Sequence, residues 1–585
     1  MRVLGIEGTA WAASAALYDT EDDSFSLTTD AYVPESGGID PGESADHMAD
    51  AVPAVVAEML SEARNRAAPA SDSDTASESA TEGSGSTAGH ADDEPPIDAV
   101  AFSQGPGLGP CLRIAGTAAR ALADTLDVPL IGVNHMLAHL EIGRHRSGFD
   151  APVCLNASGA NAHVLGYHAG RSTGAKSSSS AGESEAGGGR YRVLGETMDT
   201  GVGNSLDKVA RHAGLSHPGG PKLEELAADG ELLDFPYVVK GMDFSFAGIV
   251  TAAQDALDDG APIEDVACSL QETIFGMLTE VSERALALTG SEELVLGGGV
   301  GNNERLREML QEMCNARGAS FYAPEPRFLG DNAAMIALTG AKQLAADDTT
   351  PIEDSAVRPN YRPDDVPVTW RTDQPSSVID PSASATRRGA EAIVDVGDDR
   401  VTKRRVPKEY RHPALDDRLR EERTRGEARL TARARRLGVP APVVLDVDSR
   451  DATIELTAVG DRDLQASLDP DLLEAVGEHL ARLHADGVVH GDLTTRNVRV
   501  IDGLGTDGAG SPADRHVALI DFGLGYDSDH VEDHAMDLHV LEQSLAGTAE
   551  QPEGLQGAFE SGYASIGDDA VLDRLRDIEG RGRYQ

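Results

Sequence analysis

Cysteine, lysine and aromatic residues are scarce in this 585-residue chain. Its four cysteines, Cys111, Cys154, Cys268 and Cys314, lie far apart and form no C-x-x-C pair. That excludes a disulfide scaffold and a zinc ribbon and fits a reducing compartment. No stretch approaches the ~20 consecutive apolar residues that a membrane span needs. The opening residues Met1 to Ala10 read as a short strand running into a Gly-Thr turn, not as the apolar core of a signal peptide. A cytoplasmic protein with no membrane partner is therefore expected. Aromatics make up 4% of the residues, and only seven of the cationic side chains are lysines.

Acid is present in excess. Fifty Lys and Arg against 99 Asp and Glu leave a formal charge of −49, a self-repulsion that strains a compact state in dilute buffer. Molar salt shortens the Debye length to about 3 Å, so the excess reads as adaptation to a salt-filled cytoplasm. A disordered acidic chain is excluded, because long apolar runs recur along most of the sequence.

The length suggests about two to four domains. Ala67 to Pro96 and Arg171 to Gly189 are low-complexity stretches that interrupt strand-like runs, so both read as surface insertions within one domain. Thr369 to Arg388 is rich in Pro, Ser and Thr and separates two kinds of chemistry, which places domains at 1–345 and 388–585 with a linker at 346–387. Gly503 to Asp514 is a smaller insertion. Before the linker, runs such as V-L-G-I-E, I-D-A-V-A-F and E-L-V-L-G-G-G alternate with Ala-rich helical segments, an α/β pattern. After it come a strand pair near Ala392 to Arg405, an Arg-rich helix and a helix over about Asp471 to Ala485.

In Asn134-His135-Met136-Leu137-Ala138-His139, two histidines at i and i+4 fall on one helix face, where both imidazoles can reach one metal ion. A zinc peptidase of the H-E-x-x-H kind would carry its general base at Met136, so that reading lacks its base. A third ligand is required, and Asp331 in Gly330-Asp331-Asn332 is a candidate. Paired helix histidines can equally be structural. Glycines at Gly8, Ser158-Gly159, Gly201 to Gly203, Gly219-Gly220 and Gly297 to Gly299 mark strand ends and turns. Turns of this kind let backbone N–H groups approach phosphate, and five clusters in one α/β domain point to nucleotide binding.

The runs G-I-E-G-T-A, N-H-M-L-A-H, G-V-G-N-S-L-D-K-V-A-R, H-P-G-G-P-K, K-G-M-D-F-S-F-A-G-I and G-D-N-A-A-M-I-A occur in that order. In them residues 1 to 345 resemble the universal tRNA threonylcarbamoyladenosine transferases. The resemblance implies the actin/sugar-kinase/chaperone-ATPase fold, two lobes around a nucleotide cleft. It implies transfer of a threonylcarbamoyl group from threonylcarbamoyl-AMP to N6 of the adenosine beside the anticodon in ANN-decoding tRNAs. His135, His139 and Asp331 would hold iron or zinc as a Lewis acid. Asp207 and Glu224 would contact ribose, Gly220 would leave room for adenine, and Asn303 would close the pocket. Two departures stand out. The family's Tyr-Val-Ser-Gly-Gly, whose Tyr touches the metal, reads Asn156-Ala157-Ser158-Gly159-Ala160 here, so Asn156, Ser158 and Gly159 are the substrate-side candidates; Trp11 replaces a residue that is commonly small, polar or His.

In the second half, His490-Gly491-Asp492-Leu493-Thr494-Thr495-Arg496-Asn497 spaces Asp and Asn as a kinase catalytic loop does. Asp492 would accept the attacking hydroxyl's proton and Asn497 would coordinate Mg²⁺. Asp521-Phe522-Gly523 supplies a second Mg²⁺ ligand, Lys403 would grip the ATP phosphates, and Glu427 would pair with Lys403. There is no glycine-rich loop before Lys403, only Gly389-Ala390-Glu391-Ala392, and no A-P-E segment after Gly523. With K-R-R-V-P-K-E-Y-R-H-P from Lys403 to Pro413 and H-G-D-L-T-T-R-N from His490 to Asn497, the region resembles the minimal serine/threonine kinase/ATPase of the KEOPS complex. That implies ATP with magnesium and partner subunits for dimerisation and tRNA capture. Arg400 to Arg436 carries 14 Lys/Arg against six Asp/Glu, either a patch for tRNA phosphates or a helix paired with neighbouring acids.

One alternative is a signalling kinase with a regulatory nucleotide-binding domain, and the missing peptide-docking elements weigh against it. A non-catalytic scaffold is at odds with Lys403, Glu427, Asp492, Asn497 and Asp521 all being present. A transferase fused to its ATPase accounts for both halves. The charge balance carries its own test: the melting temperature is expected to rise with KCl up to the molar range, and a melting curve unchanged on dialysis into dilute buffer would refute the salt-adaptation reading.

Overall fold

Val3, Leu4 and Ile6 of the opening strand are fully buried, because that strand lies in the middle of a sheet covered by helices. The computed structural model describes residues 1–32, 40–67, 95–168, 189–371, 386–502, 515–549 and 552–584. The two low-complexity stretches, the 503–514 insertion and the Pro/Ser/Thr-rich part of the linker fall almost wholly outside them. Among the described residues no helix is long and apolar enough to cross a membrane. The chain forms two compact units: Met1–Leu233 with Phe246–Leu270 and Thr289–Val378, and Asp234–Ser245 with Gln271–Leu288 and Ile379–Gln585.

The first unit is α/β and contains the same sheet pattern twice. Strands β1 (Arg2–Glu7), β2 (Ala12–Asp19) and β3 (Ser24–Ala31) form an antiparallel meander. Strands β4 (Ala99–Gly105) and β5 (Leu130–Asn134) extend it in parallel, in the order β3-β2-β1-β4-β5. The second sheet repeats this with β6 (Val153–Ala157), β7 (Ala162–His168) and β8 (Gly189–Glu196) as the meander. Strands β11 (Glu293–Gly297) and β12 (Ser320–Tyr322) are its parallel extension. Strand β13 (Pro367–Val368) pairs with β8, so part of the stretch expected as linker is built into this unit.

Helices α1 (Pro41–Ala67), α2 (Gly109–Leu126), α3 (His135–Ser147) and α10 (Ala333–Ala345) belong with the first sheet, and α4 (Val202–His212), α5 (Gly220–Ala227), α6 (Ala247–Asp258), α8 (Glu304–Arg317) and α9 (Pro326–Leu329) complete the unit. Helix α10 is buried along nearly its whole length and packs flat against β1, where Gly5 is a point of close approach. A Cβ at Gly5 would lie 2.4 Å from the Ala333 carbonyl oxygen and 2.6 Å from the Ala337 nitrogen.

In the second unit, strands β14 (Thr386–Arg388), β15 (Ala392–Val396), β16 (Arg400–Arg405), β17 (Val444–Asp448) and β18 (Thr453–Thr457) make an antiparallel sheet in the order β14-β15-β16-β18-β17. Helix α11 (Pro413–Arg436) belongs with it. A helical portion follows, with α12 (Pro470–His484), α13 (Val531–Thr548), α14 (Pro552–Ala564) and α15 (Asp569–Tyr584) around one apolar core that includes Leu480, Val500, Leu519, Phe522 and Phe559. Short strands β19 (Arg462–Asp463), β21 (Val498–Ile501) and β22 (His516–Leu519) pair with each other, as do β20 (Val488–Val489) and β23 (Tyr526–Asp527). The short strands β9 (Val239–Lys240) and β10 (Asp243–Phe244) and most of α7 (Ile263–Thr289) also belong to this unit, although they precede the linker.

The α10–β1 contact is backbone against backbone and cannot be relieved by a rotamer change. Gly5→Ala is expected to lower stability by about 1–3 kcal/mol, read as an earlier unfolding transition in high salt; a superimposable melt would show that α10 is free to shift.

Candidate functional site

Strand β5 ends at Asn134 and α3 begins at the next residue. The Asn134 Oδ1 accepts hydrogen bonds from the backbone N–H of Met136 at 3.0 Å and of Leu137 at 3.1 Å, an N-cap that fixes the first turn. The helical spacing then sets His135 and His139 edge to face, with ring centroids 4.9 Å apart. Asp331 stands just before Asn332, the N-cap of α10. Its Oδ1 lies 3.3 Å from His135 Nε2 and 3.6 Å from His139 Nε2. One donor atom from each of the three residues falls within 4.8 Å of the other two.

A fourth residue was missed by sequence reasoning. Glu7, fully buried at the end of β1, places Oε2 3.1 Å from His135 Nδ1, and its Oε1 accepts the Thr9 N–H at 2.8 Å. The clue available in the sequence was a lone carboxylate ending an apolar strand in G-I-E-G-T.

The electrostatics of the cluster favour a cation. Burial works against a charge on His135, yet Glu7 and Asp331 on either side outweigh it and push its pKa up to about 10. Burial raises the Asp331 pKa, but the two histidines dominate and hold it well below the usual carboxylate range. His139 is lowered by its burial. Both ring nitrogens of His139 are buried with no hydrogen-bond partner among the described residues, a cost that a bound metal would remove. Two imidazoles, one carboxylate and a carboxylate behind the first imidazole form a donor set suited to a divalent transition metal.

Asn156, on β6, is fully buried beside the same site. A Cβ at Gly297 would sit 3.4 Å from His139 Cβ and 3.7 Å from Asn156 Oδ1. The Asn156 Oδ1 has no partner among the described residues. The Ser158–Asn161 turn docks on the start of α4, with Gly203 N–H donating to the Ser158 carbonyl at 3.2 Å and Asn204 N–H to the Gly159 carbonyl at 2.9 Å. A Cβ at Gly203 would meet the Gly159 Cα at 2.8 Å, which accounts for the glycines here.

The remaining candidates of this unit fall into two groups. Asp207 Oδ1 accepts the Gly219 N–H at 2.7 Å beside Gly220, where a Cβ would meet, among the described residues, only Leu206 Cδ1 at 3.9 Å. Glu224 Oε1 accepts the Glu304 N–H at 2.7 Å, next to Asn303, the N-cap of α8.

In the second unit the charged candidates converge. Lys403 Nζ lies 3.0 Å from Glu427 Oε1 and 2.5 Å from Asp521 Oδ1. The second oxygen of Glu427 takes Arg405 Nη2 at 2.6 Å. Asn497 Nδ2 donates to the Asp492 carbonyl at 2.8 Å and to its Oδ2 at 3.1 Å. Burial pushes the Asp492 pKa up to about 7 against the pull of Arg284. Asp537, also missed, accepts the N–H groups of His490 at 2.7 Å and Gly491 at 2.9 Å and so holds the loop that carries Asp492. Nothing in the sequence marked it.

The Arg-rich stretch is largely engaged with acids of its own unit. Arg400 pairs with Glu455, Arg411 with Glu280, Arg420 with Asp416, Arg423 with Glu391 and Arg433 with Asp486. These contacts favour the paired helix over an open phosphate patch.

The profile of the TsaD family, tRNA N6-adenosine threonylcarbamoyltransferase, matches residues 91–338. The whole chain is similar to the "Probable bifunctional tRNA threonylcarbamoyladenosine biosynthesis protein" of Halobacterium salinarum, 59% identical with 100% of this chain and 99% of the other covered. The protein of the same description in Haloquadratum walsbyi is 58% identical, with both chains covered at 100%. The one in Methanospirillum hungatei is 48% identical, covering 100% of this chain and 99% of the relative.

Glu7 is expected to fix His135 with its proton on Nδ1 and its Nε2 lone pair toward the ligand site. Glu7→Gln should lower divalent-metal affinity about 10- to 100-fold, measured by chelator competition and metal content after dialysis. Wild-type affinity in this variant would make Glu7 a bystander.

Proposed function

The chain belongs to the bifunctional tRNA threonylcarbamoyladenosine biosynthesis proteins, and from that premise we propose how its residues divide the work. The protein forms N6-threonylcarbamoyladenosine in tRNA and carries a second, kinase/ATPase activity. The convergence of His135, His139 and Asp331 on one small volume carries the first assignment.

In the first unit His135, His139 and Asp331 hold an iron or zinc ion, which when bound acts as a Lewis acid on the carbamoyl donor. The acceptor is N6 of adenosine 37 in a tRNA reading codons that begin with adenine. N6 attacks the carbamoyl carbon of threonylcarbamoyl-AMP, the bond from that carbon to the phosphate oxygen breaks, AMP leaves, and N6 loses a proton. Asp207 and Glu224 contact the ribose: each spends one oxygen on a backbone N–H, and the second oxygen of Asp207, 3.3 Å from His217 Nδ1, would turn from that imidazole to a ribose hydroxyl. The open space above Gly220 admits adenine, and Asn303 closes that side. Asn156, Ser158 and Gly159 line the donor, with Asn156 in the position of the family's tyrosine. The repeated β3-β2-β1-β4-β5 pattern supports a two-lobed actin/sugar-kinase-like architecture. A peptidase is not supported, because Met136 replaces its base.

In the second unit Lys403, oriented by Glu427, grips the ATP phosphates, Asn497 and Asp521 hold magnesium, and Asp492 takes the proton of the attacking hydroxyl or water. Along the chain we assign the domains as 1–345 and 388–585, the second with a minimal kinase-like fold, although Asp234–Ser245 and Gln271–Leu288 cluster with the second unit and the segment up to Val378 with the first. Small KEOPS subunits for dimerisation and tRNA capture are the partners, and the cytoplasm is the compartment.

Nucleoside mass analysis of ANN-decoding tRNA tests the division of labour. It is run in high salt with the partner subunits, threonine, bicarbonate, ATP and a synthase for threonylcarbamoyl-AMP. His139→Ala is expected to abolish threonylcarbamoyladenosine while ATP hydrolysis continues. Full transfer by that variant would end the metal assignment.

A further inference from the structure

The second unit includes two segments that precede the linker, Asp234–Ser245 and Gln271–Leu288, and one side chain on them sits where the nucleotide chemistry is proposed. Arg284, on α7, is buried. Its Nη1 donates to the Gly241 carbonyl, and its Nη2 is shared between Glu280 and Glu391. Glu391 belongs to the Gly389–Ala392 turn, which leads from β14 into β15 and occupies the chain position of a kinase's glycine-rich loop. Gly241, at φ +59°, lies against the other loop: a Cβ there would be 3.6 Å from the Gly491 carbonyl oxygen, and Gly491 immediately precedes Asp492.

Neighbouring contacts hold each end of this bridge. Lys240 pairs with Asp533 and lies 5.1 Å over the Tyr526 ring, which pins the turn that contains Gly241. Lys408 donates both to the Ala390 carbonyl and to Glu283 of α7, the latter at 2.6 Å, so a second residue of the Gly389–Ala392 loop is tied to the same helix. Arg423 adds a 2.9 Å contact to Glu391.

We infer that Arg284 is a positioning residue of the nucleotide site, holding the Gly389–Ala392 loop and the His490–Asp492 loop in register through Glu391 and Gly241. The ATP chemistry of the second unit then depends on a guanidinium encoded before the linker. A planar fork can serve a carbonyl and two carboxylates at once, whereas an ammonium on a flexible stem cannot hold the same three directions. This inference rests on the reading of the second unit as an ATP site.

The experiment uses the full chain in high salt and measures magnesium-dependent ATP hydrolysis together with equilibrium ATP binding. Arg284→Lys is expected to lower kcat about tenfold or more, with ATP affinity within about threefold of wild type and an unchanged melting temperature. Glu391→Gln, which is isosteric, breaks the same link from its other end and should lose a similar factor. The double variant should lose little beyond either single one, as members of one unit do. Asp521→Asn separates the two ideas. If it hydrolyses ATP at the wild-type rate, the ATP-site reading itself fails. If Asp521→Asn is inactive while Arg284→Lys and Glu391→Gln keep kcat within about twofold of wild type, the site stands and the positioning role is overturned. Should Arg284→Lys fail to fold, Glu391→Gln decides alone, and a wild-type kcat there overturns the inference.

Discussion

The close approach of α10 to β1 at Gly5 is the contact on which the first site depends. Asp331 lies far along the chain from the two histidines and reaches them because α10, which starts two residues later, lies flat against the strand that carries Glu7. Ser14 Oγ on β2 accepts the Ala333 N–H at 3.1 Å and fixes the start of that helix from the other side. Strands β1 and β5 both run parallel to β4 and end on the same edge of the sheet. Glu7 at the end of one and His135 just beyond the other therefore meet without any long loop. The histidine–aspartate cluster is a consequence of sheet topology plus one glycine that lets a helix come close.

A chain with 50 cations among 99 acids cannot spend its cations freely, and the second unit shows where they go. Glu427 is shared by Lys403 and Arg405, and Glu391 by Arg284 and Arg423. Buried pairs of this kind keep their strength in molar salt, where exposed pairs are screened. The preference for arginine over lysine has a geometric sense in these places, because one guanidinium can satisfy several acceptors at once. It also explains how the Arg400 to Arg436 stretch can be strongly basic in sequence yet engaged in the fold: the acids that answer it come from Glu280, Glu391 and Asp486, distant in the chain.

Much of this was legible in the sequence. The i and i+4 histidines and the Asp–Asn spacing of 492 and 497 depend on local geometry, and local geometry follows from periodicity; the Lys403–Glu427 pair joins a strand to a helix 24 residues on and was expected only from the kinase-like resemblance. Strands such as Arg2–Glu7, Ala99–Gly105 and Glu293–Gly297 were marked by their apolar runs. Glu7, Asn134 and Asp537 were not marked, since each acts on backbone or on a second side chain in a way that composition does not reveal. Asn156 shows the opposite case: its substitution for tyrosine was visible, but its burial beside His139, with Oδ1 unpaired among the described residues, was not.

The sequence by itself determined the α/β character of the first half, the paired histidines, the kinase-like catalytic spacing and the acid excess, because each is written in neighbouring residues or in simple counts. Only the tertiary structure decided that Glu7 backs His135 and that the basic helix is neutralised within its own unit. It also decided that β9, β10 and most of α7 belong with the second unit although the chain reaches them before the linker. Contacts of this kind depend on where distant segments cross, and burial then amplifies charges that look ordinary along the chain.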